Sequence, residues 1–146
     1  MDSDHNAGQT AVAKIKRARH PQTTDHELAT LARSEESMVR AVVAERSETP
    51  ITTLLKLADD ESVSVRAGLA RNQREDLPLE LRDDLARDWS PEVLLALLRN
   101  PMVPDSIVAK LSRSRQRDIA NAARKRLSGK GFFKASALRR AEAMPG

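Results

Sequence analysis

The sequence predicts an all-α protein, a short α-solenoid of about four two-helix repeats of 26–28 residues with capping helical segments at its N- and C-terminal ends. Three observations predict it. First, a Leu closing an apolar turn is followed eight residues later by Val or Ile in four places: Leu31 with Val39, Leu57 with Val65, Leu85 with Val93, and Leu111 with Ile119. The steps from one Leu to the next are 26, 28 and 26 residues. A fixed period in this range belongs to units that bury their apolar faces only by stacking on neighbours. Second, Pro stands seven residues before the Leu in three units, at Pro50, Pro78 and Pro104, where its fixed φ and missing N–H suit the first turn of a helix. Third, aromatic residues are 2% of the chain, so the core is Leu, Val, Ile and Ala. That composition suits layers of short helices better than a β-sandwich.

Taken in order, residues 1–10 read as a disordered acidic arm. Residues 11–19 form a basic helix that caps the array, with Val12 and Ile15 as its contacts. Thr24-Asp25-His26-Glu27 has the spacing of a capping box and opens the first unit. Thr49 is the expected N-cap ahead of Pro50. The inward pairs of the first helices are Leu28 and Leu31, Leu54 and Leu57, Leu81 and Leu85, and Val108 and Leu111, each spaced for one helical face. Polar breaks follow, and their Ser and Asp side chains are placed to accept orphan N–H groups of the next helix. The second helices then bury Val39 and Val43, Val65 and Leu69, Val93 and Leu97, and Ile119 and Ala123. Asn72 and Asn100, each fifteen residues past a Leu, stand where a helix C-terminus favours a residue tolerant of positive φ. The connector after Asn72 is two residues longer than the one after Asn100, so an exposed loop is expected there. After Gly129-Lys130-Gly131, Phe132, Phe133 and Leu138 form a closing helix or part of a basic tail. The repeat domain is thus 11–128 and the tail or capping helix 129–146.

The phrase Pro-x(6)-Leu-Ala-x(6)-Val-Arg-x(3)-Ala is fullest in the second unit, at Pro50, Leu57-Ala58, Val65-Arg66 and Ala70. It resembles the variant leucine-rich repeat, a HEAT-like family. The first unit matches at Leu31-Ala32, Val39-Arg40 and Ala44, and the third at Pro78, Leu85-Ala86 and Val93, with Leu94 in place of Arg. The fourth has Ser112 for Ala and Ala120 for Arg, as a degenerate terminal unit would. The resemblance implies a right-handed superhelix and no activity. Family members that hold an iron–sulfur cluster do so through cysteines, and this chain has none.

Lack of Cys excludes disulfides, thiolate metal sites and a Cys nucleophile. The longest apolar run, from Val93 to Leu98, is far short of a membrane span. With no apolar stretch behind the acidic N-terminus to serve as a secretory signal, the expectation is a cytoplasmic protein. Three His residues (His5, His20, His26) have no helical ligand spacing, so no metal or cofactor is expected. Charge is uneven. Residues 110–146 carry eleven basic side chains against two acidic ones, a net +9, and the +4 of the whole chain leaves −5 for the rest.

The candidate functional residues follow from these irregularities. Trp89 occupies a turn position that holds Glu35 or Glu36, Glu61 and Arg115 in the other units, where it either packs on its own unit or projects as a binding anchor. Arg113, Arg115, Arg117, Arg124, Lys125, Arg126, Lys130, Lys134, Arg139 and Arg140 form the basic end. Clustered cations are an electrostatic footprint for phosphates, although Lys and Arg near a helix C-terminus also simply complement its dipole. The function expected is a non-enzymatic binding module for a protein partner, with DNA or RNA binding through the basic end as the alternative.

Overall fold

The computed structural model describes the backbone of residues 3–129 and the side chains of residues 10–129. Among the described residues there are nine helices and no strand. They are α1 (Ser3–Arg19), α2 (Asp25–Leu31), α3 (Ser37–Glu45), α4 (Ile51–Leu57), α5 (Val63–Arg71), α6 (Leu79–Leu85), α7 (Pro91–Arg99), α8 (Asp105–Leu111) and α9 (117–129). Helices of seven and nine residues alternate from α2 to α8. The even-numbered helices begin at 25, 51, 79 and 105 and the odd-numbered ones at 37, 63, 91 and 117, both with steps of 26, 28 and 26. The basic-tail residues Lys130, Lys134, Arg139 and Arg140, and the closing helix expected around Phe132, lie outside the described residues.

Helices this short are marginal alone, because nucleation fixes several dihedrals for few hydrogen bonds. Tertiary burial supplies what they lack. Val39, Val65, Val93 and Ile119 are each at most 1% exposed, and Leu57 and Leu85 are 2% exposed. The principal helix contacts join α3 to α5, α5 to α7, and α1 to α3. Gly68 lets α5 approach α3 closely, because a Cβ there would stand 2.7 Å from the Ala41 carbonyl oxygen.

A side-chain ladder runs along the C-terminal ends of α1, α3, α5 and α7. Four residues, each fifteen past an anchor Leu, reach back to two carbonyls of the preceding long helix and its exit. Arg46 Nη1 donates to the Ala18 and His20 carbonyls at 2.8 and 2.6 Å. Asn72 Nδ2 donates to Ala44 and Arg46 at 2.9 and 3.0 Å. Asn100 Nδ2 donates to Ala70 and Asn72 at 2.9 and 2.8 Å, and Arg126 Nη1 to Leu98 and Asn100, both at 2.9 Å. Carbonyls at a helix end have no intrahelical partner, so each rung satisfies groups that burial would otherwise strand. The equivalent role of Ala18 makes α1 a counterpart of the second helices, rather than only a cap.

Several local expectations change. Asn72 and Asn100 have φ of −63° and −88°, and no residue described has positive φ, so their amide side chains and not backbone tolerance explain them. Pro50, Pro78 and Pro104 sit at the N-cap in extended conformation, one residue before the first turn. Thr49 is no cap. It is fully buried and its Oγ1 donates back to the Val43 carbonyl at 2.8 Å. Thr24 does cap α2, accepting from the Glu27 N–H at 3.2 Å, while the Glu27 carboxylate meets Arg17 Nη2 at 2.9 Å. The longer connector exposes Gln73, Glu75 and Asp76, yet it is pinned at both ends. Asn72 and Leu77 are buried, and the buried Arg82 donates to the Asn72 and Arg74 carbonyls at 3.1 and 2.8 Å. Burial pushes the Arg82 pKa down. Finally, α1 runs from Ser3 to Arg19, a longer span than the helix over 11–19 read from the sequence.

Candidate binding site at the Trp89 turn

A second ladder crosses the turns that lead from each short helix to the next long one. Three residues past each anchor Leu, a side chain folds over the turn. Asp60 accepts the Ser62 N–H and Asp88 the Ser90 N–H, both at 2.9 Å. Ser34 and Ser114 do the same for Glu36 and Gln116, at 3.3 and 3.1 Å. The Arg after the buried Val then joins one turn to the next. Arg40 grips Asp60 with Nε and Nη2 at 2.8 and 3.1 Å, and its Nη1 donates to the Ser34 carbonyl at 2.7 Å. Arg66 meets Asp88 at 2.6 Å and the Asp60 carbonyl at 2.8 Å. Twenty-six residues before Arg40, Lys14 meets Glu36 at 3.3 Å, so α1 takes part in this ladder too. These carboxylates are well buried by their partners: Asp60 is 10% and Asp88 8% exposed in the side chain. Burial by itself would raise the Asp60 pKa, but hydrogen bonds from Arg40 and the Ser62 N–H outweigh it and hold the carboxyl below its ordinary value.

At the last junction this ladder stops. Leu94 stands where an Arg is required and Ser114 where an Asp is required. Both line a cleft of about 330 Å³, together with Asp88, Trp89 and Lys110. Trp89 is 78% exposed, which decides between its two sequence readings in favour of projection from the surface. The Gln116 amide donates to the Trp89 carbonyl at 3.1 Å and so holds the two neighbouring turns together. Arg113 and Arg115, on the turn between α8 and α9, and Arg117, at the first position of α9, are exposed, and no ion pair to a carboxylate is seen for them among the described residues. Asp83, at the cleft rim, is already engaged by Lys110 and by Arg87 Nη2, the latter at 3.2 Å, and the Lys110 hydrogen bond holds its pKa down. A slightly larger cleft, about 370 Å³, lies beside Ala18, Val42 and Arg46. There Arg46 is already committed to carbonyls and no exposed aromatic side chain lines it, so the smaller cleft is the better candidate.

The structure therefore brings the Trp89 turn against the turn after α8, through Ser114 and Gln116, and Arg113, Arg115 and Arg117 are the chain neighbours of these two residues. Arg124 and Lys125 are exposed but stand roughly 10–12 Å further along α9, at 1.5 Å per residue, and belong to a different part of the surface. Arg126, expected among the phosphate-binding cations, is occupied. Its guanidinium donates to the carbonyls of the preceding unit, including Val103 at 2.5 Å. Sequence reasoning missed Leu94 and Ser114 as site residues. The departure of Leu94 from the repeat phrase was visible, but its meaning required knowing that the Arg it replaces bridges turns. Among the described residues no helix is long and apolar enough to cross a membrane, and no three His, Asp or Glu side chains gather as metal ligands. No protein-family model, curated protein or solved structure matches the chain.

Proposed function

We propose that the chain is a non-enzymatic binding module, a right-handed α-solenoid of the variant leucine-rich repeat kind that works in the cytoplasm and docks a protein partner at the Trp89 turn. One observation carries the reading: among the described residues, a solvent-exposed Trp stands over a cleft at the one junction where no turn-to-turn ion pair is seen. Buried aromatic anchors dominate binding energy at protein interfaces, and a large exposed indole beside a cleft is poised to become one. The carboxylates that might suggest acid–base chemistry are held by cations, as with Asp60 by Arg40, Asp83 by Lys110 and Asp88 by Arg66, which leaves them suited to structure. Periodic helix starts and contacts between successive long helices support the solenoid reading.

The test is an aromatic photo-crosslinking amino acid, which keeps a large apolar ring at the anchor, placed at position 89, and at position 61 as the equivalent turn in the regular half, in the full chain within its host cells. The expected result is one nuclease-resistant protein adduct at 89 and none at 61. Equal adducts at both positions, or none at 89, would count against the site. A second reading is favoured by the exposed cations Arg113, Arg115, Arg117, Arg124 and Lys125. It is phosphate-directed binding of DNA or RNA, with affinity falling steeply as salt rises. Nuclease-sensitive adducts at 89 would select it.

A further inference from the structure

We infer that the partner segment recognised at the Trp89 turn is an acidic stretch of polypeptide carrying one apolar residue, the apolar side chain entering the cleft and its flanking carboxylates meeting Arg113, Arg115 and Arg117. The inference rests on the docking reading above and specifies its ligand. The cleft is small: about 330 Å³ accommodates an aliphatic or aromatic side chain but not a folded element. Leu94, Ala86 and Leu111 give it apolar walls, and Trp89 stands at its lip. An apolar group is therefore what gains most from entering, by removing both its own surface and that of Trp89 from water.

Charge then selects what flanks that group. Arg113, Arg115 and Arg117 alternate along the segment that Gln116 ties to Trp89, the last of them opening α9, and no ion pair to a carboxylate is seen for them among the described residues. A guanidinium presents a planar fork matched to carboxylate oxygens, so acidic residues on either side of the anchor complete these groups. Two other occupants fit less well. A nucleic-acid backbone offers phosphates to the same guanidinium groups but brings no aliphatic side chain to the walls of Leu94, Ala86 and Leu111. The chain's own residues 130–146 carry Lys130, Lys134, Arg139 and Arg140 against Glu142, the same sign as the turn they would have to cover. In the regular half the equivalent turns carry Glu35 and Glu61, and an Arg–Asp or Lys–Glu pair bridges each junction, so the same ligand is not expected there.

Selection of a randomised twelve-residue peptide library on the full chain tests this, with the Trp89→Ala and the Arg113→Glu, Arg115→Glu, Arg117→Glu chains as counter-selections. All four positions are exposed, and circular dichroism checks that the variants keep their helix content. The expected outcome is enrichment of peptides with several Asp or Glu around one Leu, Ile, Met or Phe. Their binding, read by emission of the one Trp in the chain, should weaken at least tenfold when the peptide's apolar residue becomes Ala and when Arg115 becomes Glu. Enrichment of neutral or basic peptides, no enrichment, or enrichment that survives both counter-selections overturns the inference. If a protein still crosslinks at position 89 in that event, the docking reading stands and only the ligand class falls. Saturable binding of a twelve-nucleotide oligothymidylate that is lost in the triple Arg variant also overturns it, in favour of nucleic acid.

Discussion

Single residues in this chain are constrained by main-chain groups of the neighbouring unit more than by their own helices. Gly68 is the sharpest case. Any Cβ at that position meets the Ala41 carbonyl oxygen at 2.7 Å, a backbone atom that cannot rotate away, so α3 and α5 must separate to admit it. Gly68→Ala is expected to destabilise the protein by about 1–3 kcal/mol by overpacking, even though Ala is the better helix former. Gly129, also helical, has none of the described residues within 4 Å of the same Cβ, so Gly129→Ala should be neutral or slightly stabilising. Equal urea midpoints for the two variants would show that α3 and α5 are not in close contact. Asn100 makes the complementary case. Were it there to tolerate positive φ, Gly would replace it at no cost. With φ at −88° and both amide hydrogens on the Ala70 and Asn72 carbonyls, Asn100→Gly removes two buried hydrogen bonds. The expected loss is about 2–4 kcal/mol, from stranded carbonyls and added backbone freedom. A midpoint within experimental error of the parent would return the positive-φ explanation to favour.

At the scale of helices and turns, the Arg–carboxylate bridges decide which junctions are closed. Arg40 with Asp60 and Arg66 with Asp88 are two-thirds of a series that begins with Lys14 and Glu36 and ends at Leu94. Because the folded-state pKa of Asp60 lies below its unfolded value, its contribution is fully present above about pH 4, the ordinary aspartate range, and is lost as pH falls through the lower folded value. Urea stability of the parent should therefore decline on acidification below about pH 4 more steeply than that of Asp60→Asn, which has no proton to take up there. Parallel acid limbs would mean that Arg40 does not hold this carboxyl in solution. What the sequence revealed follows the same division. Helix positions and buried faces were legible, because Leu31, Leu57, Leu85 and Leu111 recur with helical spacing around them. The cross-links were not, since Arg40 meets Asp60 twenty residues away and Asn72 meets Ala44 twenty-eight away, and a periodic pattern does not say which polar side chains face a neighbour. Trp89 could be singled out as an irregularity, while its exposure depended on the neighbouring turn.

For the molecule as a whole, α5 is the centre, packed on both α3 and α7 and joined to the flanking turns through Arg66 and the exit carbonyls of Ala70 and Asn72. The last junction is held differently. It has lost the turn-edge ion pair, and α9 is attached through Ile119, Ala123 and the carbonyl bonds of Arg126. If each unit draws its stability from its own fold and its nearest neighbours, a defect at that junction stays local. Arg126→Ala is the direct probe, since it strands carbonyls of Leu98, Asn100 and Val103 without touching the cores of α3 and α5. Removing these bonds costs about 1–3 kcal/mol, which corresponds to a roughly 5- to 150-fold rise in the opening of residues 117–129. Native-state hydrogen exchange should show that rise in α9 while the amides of Leu69 and Ala70 in α5 keep their protection. Uniform acceleration across all helices would instead mean one cooperative unit, and no acceleration in α9 would leave the Arg126 guanidinium free for a phosphate after all. The local outcome has a functional corollary. If α9 opens on its own, the segment that carries Arg113, Arg115 and Arg117 can adjust against a ligand while α6 and α7 keep the Trp89 turn between them.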